Sequence, residues 1–170
     1  MNFQISLIDE PAARDIITWH YPQPYQMYGL QDESAAEDVV AYLLNPQNRI
    51  YRIDNEFGKF LAFCSYGEDA RVCGGNYEDD ALDVGLGLRP ELTGQGLGPR
   101  IIGEILAYAL DHFPVRSFRV TIAAFNQRAQ KAWNHHGFQK TQDFRRSYDQ
   151  FPFVILTRPA VLPDQDLPVS

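Results

Sequence analysis

Three glycines at alternate positions, Gly94, Gly96 and Gly98, lead into an apolar helical pattern in the stretch PELTGQGLGPRIIGEIL, residues 90–106. Because glycine has no Cβ, such a turn lets a bulky group come close to the backbone. The first turn of a helix presents unpaired N–H groups and a partial positive charge, and both favour an anion. We therefore predict that this turn, with a helix starting near Pro99, binds a phosphate group.

Two common phosphate motifs do not fit this stretch. A P-loop needs Gly-Lys-Ser/Thr after its glycines, and a dinucleotide site needs G-x-G-x-x-G after a first strand, whereas the chain has G-x-G-x-G at mid-length. The alternative to a phosphate site is a tight strand-to-helix turn that binds nothing. Three glycines cost backbone entropy without any packing in return, which favours a ligand.

Two stretches resemble the motifs of a known family. LGLRPELTGQGLG (residues 86–98) resembles the acetyl-CoA pyrophosphate motif Q/R-x-x-G-x-G/A of the GNAT superfamily of N-acetyltransferases. FNQRAQKAWNHHGF (residues 125–138) resembles the second motif of that family, N-x-x-A-x-x-x-Y-x-x-x-G-F. The motifs come in the family's order, separated by one predicted helix and one predicted strand.

The resemblance implies acetyl-CoA as the cosubstrate and no metal. Asn126 would bond the cofactor or its thioester. Backbone groups of the strand would bond the pantetheine arm, at Leu86, Gly87 and Leu88. The turn would hold the pyrophosphate, through Thr93, Gly94, Gln95, Gly96, Leu97 and Gly98. Thr93 stands where the family has Gln or Arg. Trp133 stands where the family has a Tyr proposed as general acid, and an indole cannot deliver a proton at neutral pH. Plain packing and cofactor contact both remain open for Trp133.

Acetyl transfer to an amine needs a group that removes a proton, donors for the oxyanion and a way for the thiolate to leave. Asp83 is the predicted base, because the resemblance implies a carboxylate in this part of the strand; a surface carboxylate is the alternative. A second family position for a base holds Thr121. The resemblance implies a β-bulge in this strand, so the backbone N–H of Leu88 or of its neighbour is the predicted oxyanion donor, and Tyr148 is the predicted acid if Trp133 is not.

An aperiodic loop, WHYPQPYQMYG, is rich in aromatic residues and holds two prolines (residues 19–29). The resemblance implies that this segment covers the acceptor, so we predict that it binds substrate through Trp19, His20, Tyr21, Tyr25 and Tyr28. A stiff aromatic wall can stack on a ring or on a cation. The alternative is a small hydrophobic cluster that only pins the loop.

The elements that position these residues follow from the spacing of apolar residues. A strand is predicted over residues 3–8, and Asp9 is predicted to cap a helix with Pro11 in its first turn. Asn126 and Gly137 are predicted to begin and end a later helix. The helix after the glycine turn is predicted to run to about residue 112 and to face inward through Ile101, Ile102, Ile105, Leu106 and Leu110.

The full predicted order is β-α-α-β-β-β-α-β-α-β-β. We therefore predict an α/β (α+β) fold: a GNAT-like mixed, mostly antiparallel sheet of about six to seven strands with helices on both faces. Residues 1–158 are predicted to form a single GNAT-like N-acetyltransferase domain, and residues 159–170 an extended tail that contains prolines.

Composition narrows the class of function. The 170 residues are 45% hydrophobic and carry a formal net charge of −7, which disfavours nucleic acid and anionic membranes as partners. No signal peptide and no long apolar run are visible. Cys64 and Cys73 are too few for a disulfide framework, so free thiols and a cytoplasmic location are expected.

The sequence therefore predicts an N-acetyltransferase that moves an acetyl group from acetyl-CoA to a primary amine by direct attack in a ternary complex. The acceptor is a small amine or a protein amine, and the protein is a monomer or a homodimer. An acyl-CoA-binding sensor with little or no turnover is the alternative, because Trp133 replaces the family's Tyr. A GNAT-shaped module without a ligand is disfavoured by the intact glycine turn.

Overall fold

Seven strands form one sheet in residues 1–161, the part of the chain that the structure, a computed structural model, describes. The strands are β1 (Phe3–Leu7), β2 (Ile50–Asn55), β3 (Phe60–Tyr66), β4 (Leu82–Leu88), β5 (Ser117–Ala123), β6 (Gln139–Arg145) and β7 (Pro152–Pro159). The helices are α1 (Glu10–Ile16), α2 (Ala36–Leu44), α3 (Leu97–His112) and α4 (Gln127–Asn134). The predicted order of elements is confirmed.

The strands lie in the order β1-β2-β3-β4-β5-β7-β6. Only β4 and β5 pair in parallel; every other neighbouring pair is antiparallel across the described sheet. The predicted fold class, a mixed and mostly antiparallel sheet, is therefore confirmed.

Helices cover both faces of the sheet. Because side chains of a strand alternate between faces, Ala62 and Cys64 of β3 pack into a core with α3 and α4, while Phe63 packs toward α1 and α2. The α3–α4 core is centred on residues such as Ile105, and the smaller cluster on the other face contains Trp19. The site described below lies between these two layers.

Local signals set the helix ends as predicted. The Asp9 side chain accepts a hydrogen bond from the N–H of Ala12 at 3.0 Å, and the Asn126 side chain accepts one from the N–H of Ala129 at 3.0 Å. Each cap satisfies a donor that the helix itself leaves unpaired. Gly137, just after α4, has a φ of +84°, a conformation that favours glycine.

Two predictions about α3 are wrong. The helix begins at Leu97 rather than near Pro99, because Gly96 adopts a φ of +77° and acts as its N-cap. Leu110 is 44% exposed, and Ala109 is buried instead. Ala109 lies four residues after Ile105 and so continues the buried row, whereas Leu110 is rotated about 100° from it.

The C-terminal strand extends one residue beyond the predicted domain end, to Pro159. The predicted tail from residue 162 onward lies outside the described residues. Within residues 1–161, no helix is both long enough and apolar enough to cross a lipid bilayer.

The two cysteines differ sharply in environment, and this provides a test of the core. Cys64 in β3 is fully buried, and burial raises the pKa of its thiol to about 12, whereas Cys73 is exposed. We expect an aromatic disulfide reagent at pH 8 to titrate about one thiol in the native protein and about two after denaturation, because the thiolate is the reacting form. Rapid reaction of both thiols in the native protein would contradict the described packing of β3.

Candidate functional site at the gap between β4 and β5

The parallel pairing of β4 with β5 covers only the start of each strand. Leu82 pairs with Phe118 and Asp83 with Arg119, and no later pair follows, although β4 continues to Leu88. The strands therefore separate and leave a gap between their C-terminal halves. Backbone groups along this edge of β4 are free to bind a ligand, because β5 does not use them.

The backbone of β4 points alternately toward β3 and toward this gap. Asp83 and Arg89 hydrogen bond through their backbone groups to Gly67 and to β3, at 2.8 and 2.9 Å. With a period of two, the amides of Gly87 also face β3, while those of Leu86 and Leu88 face the gap. Of the three strand residues predicted to bond the pantetheine arm, Leu86 and Leu88 therefore present backbone groups to the gap, whereas Gly87 does not.

A cavity of about 850 Å³ fills the gap. Its walls come from β4, β5, the glycine turn, α4 and the loop between α1 and α2. The lining contains most of the predicted cofactor-binding residues: Leu86, Gly87, Leu88, Thr93, Gly94, Gly96, Gly98, Asn126 and Trp133. Gln95 and Leu97 lie outside the lining.

The glycine turn forms one end of the cavity, at the N-terminus of α3. Thr93 donates its hydroxyl hydrogen bond to the Pro90 carbonyl at 2.8 Å, and the Gln95 amide donates to the Glu91 carbonyl at 2.6 Å. Both side chains thus stabilise the turn from within. The start of α3 borders the cavity at Gly96 and Gly98, and the binding of an anion by its N–H groups stays a prediction.

Two cations on α4 line the same cavity and were missed by the sequence analysis. Arg128 lies beside the glycine turn, since a Cβ placed on Gly94 would stand 3.7 Å from its guanidinium. Lys131 follows one turn later and also lines the cavity. Their spacing of three residues on a predicted helix, directly after the Asn126 cap, was the available signal.

Three tyrosines of the loop between α1 and α2 line the cavity: Tyr21, Tyr25 and Tyr28. Tyr21 donates its hydroxyl hydrogen bond to the gap-facing carbonyl of Leu88 at 2.8 Å, and burial raises the pKa of Tyr21 to about 12. Tyr25 packs against Phe125 near the start of α4, with ring centroids 5.7 Å apart. The loop therefore bridges the gap from β4 to the β5–α4 side.

The other two residues predicted to bind substrate lie elsewhere. Trp19 is buried at 4% exposure between Phe60 and Phe63, so it anchors the loop to the core. His20 is exposed and does not line the cavity. Trp19 therefore belongs to a hydrophobic cluster that anchors the loop, which was the alternative interpretation. The three tyrosines face the cavity.

Asn126 connects this loop to α4. Its side-chain oxygen caps the helix, so its amide nitrogen points away and donates to the Tyr28 hydroxyl oxygen at 3.1 Å. Because that oxygen already accepts, the Tyr28 hydroxyl hydrogen is free to donate to another group. Burial raises the pKa of Tyr28, which keeps the phenol protonated at neutral pH.

The structure does not place Asp83 where a base is needed. Its carboxylate is 1% exposed, is absent from the cavity lining and forms hydrogen-bonded ion pairs with Arg119 at 2.7 and 2.8 Å and with Arg71 at 2.8 Å. Both guanidinium groups also lie over the ring of Tyr77. Because its oxygens are engaged by two guanidinium groups and it does not reach the cavity, the geometry favours a structural role for Asp83.

The two predicted acids also differ in position. Trp133 lines the cavity at 5% exposure and packs against Phe138, with ring centroids 5.0 Å apart, so it belongs to the core and also borders the cavity. Tyr148 lies in the turn between β6 and β7, is 74% exposed and stacks on Arg146 outside the cavity. The geometry therefore gives no support to Tyr148 as an acid.

A search of residues 1–161 for metal ligands finds no group of three or more His, Cys, Asp or Glu side chains arranged to hold an ion. The lining of the gap supplies backbone amides, tyrosine hydroxyls and cations. Such a set suits an anionic ligand with a long neutral arm.

The chain belongs to the acetyltransferase (GNAT) family, since the model of that family matches residues 11–138. This range contains the glycine turn, both edges of the gap and the whole of α4. No curated protein matches the chain in sequence.

Solved structures with the same fold include several acetyltransferases. A chimera of the spermidine N-acetyltransferase SpeG from Vibrio cholerae and hSSAT is 12% identical, with a TM-score of 0.66 over 94% of this chain and 96% of that chain. A protein from Acinetobacter baylyi ADP1, described provisionally as an acetyltransferase, is 17% identical, with a TM-score of 0.68 over 93% of each chain. At these identities the likeness shows the fold and does not transfer a substrate.

The ion pairs of Asp83 provide a test that separates a structural role from a catalytic one. Asp83→Asn should lower the free energy of unfolding in urea by about 3–5 kcal/mol, because it leaves buried guanidinium charge without a partner. Asp80→Asn is the matched control: its ion pair with Arg116 is 80% and 87% exposed, and we expect a change within about 0.5 kcal/mol. Unchanged stability together with a rate loss of about 10²-fold would instead restore Asp83 as the base.

Proposed function

We propose that this protein transfers an acetyl group from acetyl-CoA to a primary amine by direct attack in a ternary complex. The observation that carries this proposal is the cavity at the strand gap, which is lined both by the glycine turn and by the tyrosines of the loop between α1 and α2. Such a cavity can hold the cosubstrate's phosphates, its pantetheine arm and the amine together. Membership of a family that generally uses acetyl-CoA supports the same assignment.

Charge also supports acetyl-CoA. The whole chain has a net charge of −7, yet the lining of the cavity within residues 1–161 contains the cations Arg128 and Lys131 together with His135, and no Asp or Glu. The N-terminus of α3 adds its partial positive charge. A polyanionic cosubstrate is the ligand that such a lining favours.

The chain's own groups can then perform the transfer. Amine nitrogen attacks the thioester carbon and loses its proton to water, since the described lining contains no carboxylate to receive it. The Leu88 N–H, which faces the gap, donates to the oxyanion that forms. The carbon–sulfur bond then breaks, which leaves a thiolate and the acetylated amine.

We assign the proton that the thiolate takes up to Tyr28. This phenol lines the cavity, has a hydrogen free to donate and is held by Asn126. It stands in for the tyrosine that the family motif has at the position of Trp133. After the transfer, solvent returns a proton to the Tyr28 phenolate.

An acyl-CoA-binding sensor with little turnover is the second candidate. It is favoured by the same lack of a carboxylate base in the described lining and by Trp133 itself. Release of free thiol in the presence of amines distinguishes the two functions, because a sensor binds acetyl-CoA without consuming it. The free cysteines fit the reducing cytoplasm, which we propose as the compartment for either function.

Substitution of Gly98 tests the cosubstrate site. Gly98→Glu places a negative side chain in the anion site, and we expect calorimetry to show at least about a 100-fold loss of acetyl-CoA affinity. The helix should still form, because the Gly98 Cβ position is open and a carboxylate suits the first turn of a helix.

Gly103→Ala is the matched control on the same helix. Its new Cβ would stand 3.5 Å from the His136 ring, an ordinary contact, and Gly103 does not line the cavity. We expect its affinity for acetyl-CoA to equal that of the parent. Equal affinity in Gly98→Glu would remove the glycine turn from the cosubstrate site.

Substitution of Tyr28 tests the proton donor. Tyr28→Phe keeps the ring and removes the hydroxyl, so we expect kcat to fall about 10²-fold while the KM for acetyl-CoA changes little. Tyr148→Phe makes the same chemical change outside the cavity and should leave kcat as it is. The assignment is wrong if Tyr28→Phe retains the parent kcat.

A further inference from the structure

We infer that the acceptor is a primary amine with one positive charge, carried on an aromatic or otherwise apolar body. The inference rests on the proposed transferase function and adds the class of its acceptor. It excludes polyamines, on which the spermidine N-acetyltransferase SpeG among the structural neighbours acts. The part of the cavity beside the loop between α1 and α2 is called the acceptor chamber here.

The acceptor chamber is bounded by Tyr21, Tyr25, Tyr28, Phe63 and Gly87, all of which line the cavity. The tyrosines come from the loop between α1 and α2, and the Phe63 ring lies so close over Gly87 that any Cβ there would collide with it. Gly87 therefore allows an aromatic ring to form the floor of the chamber. Four aromatic rings around one space favour a flat or apolar body.

No carboxylate lines the cavity in the described part of the chain. Asp15 of α1 and Glu91 of the turn after β4 are not part of that lining. Asp15 is paired with Arg89, and Glu91 is exposed on the turn after β4, where its charge contributes to the raised pKa of Tyr21. Neither faces the chamber as a lining group, so a second ammonium inside it would have no partner of opposite charge.

Aromatic rings alone could still bind a cation over their faces, but the Tyr25 ring already has a cation, Arg128, over it. The Arg128 guanidinium lies 4.4 Å from the centre of the Tyr25 ring. A further cation there would meet like charge at close range, which costs free energy in a partly buried site.

The same surroundings help the one amine that reacts. Burial and a nearby positive charge both favour the neutral form of an amine over its ammonium form. An attacking amine must be neutral, and the chamber therefore assists a reaction for which the described lining provides no carboxylate base. A second amino group on the acceptor would also be destabilised as an ammonium ion by burial and by the nearby positive charge, but it would not take part in the reaction.

A matched pair of amines isolates the second charge. Hexylamine and 1,6-diaminohexane have the same chain and differ by one amino group. With the 170-residue protein at saturating acetyl-CoA, we expect kcat/KM per amino group to be at least about tenfold higher for hexylamine, because an unpaired buried charge is costly. We expect 2-phenylethylamine to equal or exceed hexylamine, and spermidine to be the poorest of the four.

Calorimetry with acetyl-CoA, done first, separates this inference from the proposed function. If acetyl-CoA binds and the diamine or spermidine is used as well as hexylamine, the inference is wrong and the transferase stands. If acetyl-CoA binds and none of the four amines is acetylated, the inference is wrong and the sensor is favoured. If acetyl-CoA does not bind, both proposals fail.

Phe63→Leu tests the floor of the chamber directly. Phe63 lies on the face of β3 opposite α3, so we expect acetyl-CoA affinity to change less than about threefold, while kcat/KM for 2-phenylethylamine falls at least about tenfold relative to hexylamine. A merely structural effect would lower both amines equally and would overturn the role of Phe63 in recognition. If this variant does not fold, the comparison of amines with the parent protein still decides the inference.

Discussion

The buried ion pair between Asp83 and Arg119 stands at the last point where β4 and β5 pair. Beyond it the strands separate, and the cavity occupies the space between them. The side chains of Asp83 and Arg119 are 1% and 3% exposed. Another register between β4 and β5 would leave these buried charges without their hydrogen bonds, which is costly. Arg71 adds a second cation from the preceding loop. The ion pairs of Asp83 thereby fix the position at which β4 and β5 separate.

Once the strands separate, the gap must be closed on its outer side, and the loop between α1 and α2 does this. Tyr21 is bonded to β4 through the Leu88 carbonyl, and Tyr28 is bonded to α4 through Asn126. Trp19 anchors the start of the loop in the core beside Phe63. One short segment thereby joins both edges of the gap and gives the cavity its aromatic side, while the α3 end keeps its positive character.

Much of the fold followed from the sequence. The strands, the caps Asp9 and Asn126, and the order of elements were predicted because each depends on residues close together in the chain. The glycine turn was found for the same reason. The errors at Pro99 and Leu110 were shifts of one or two positions on a correctly predicted helix, where small differences in backbone angle at Gly96 decide the start.

The roles of individual side chains depended on partners far away in the chain. The sequence predicted Asp83 as a base, but its carboxylate is bound by Arg119, 36 residues later in the chain. The role proposed for Tyr28 depends on its contact with Asn126, 98 residues later. By itself the sequence determined the family, the elements and the position of the glycine turn, since periodicity, caps and glycines act locally. Tertiary structure alone decided which carboxylate is buried and which tyrosine faces the gap, because burial and ion pairing are properties of the packed chain.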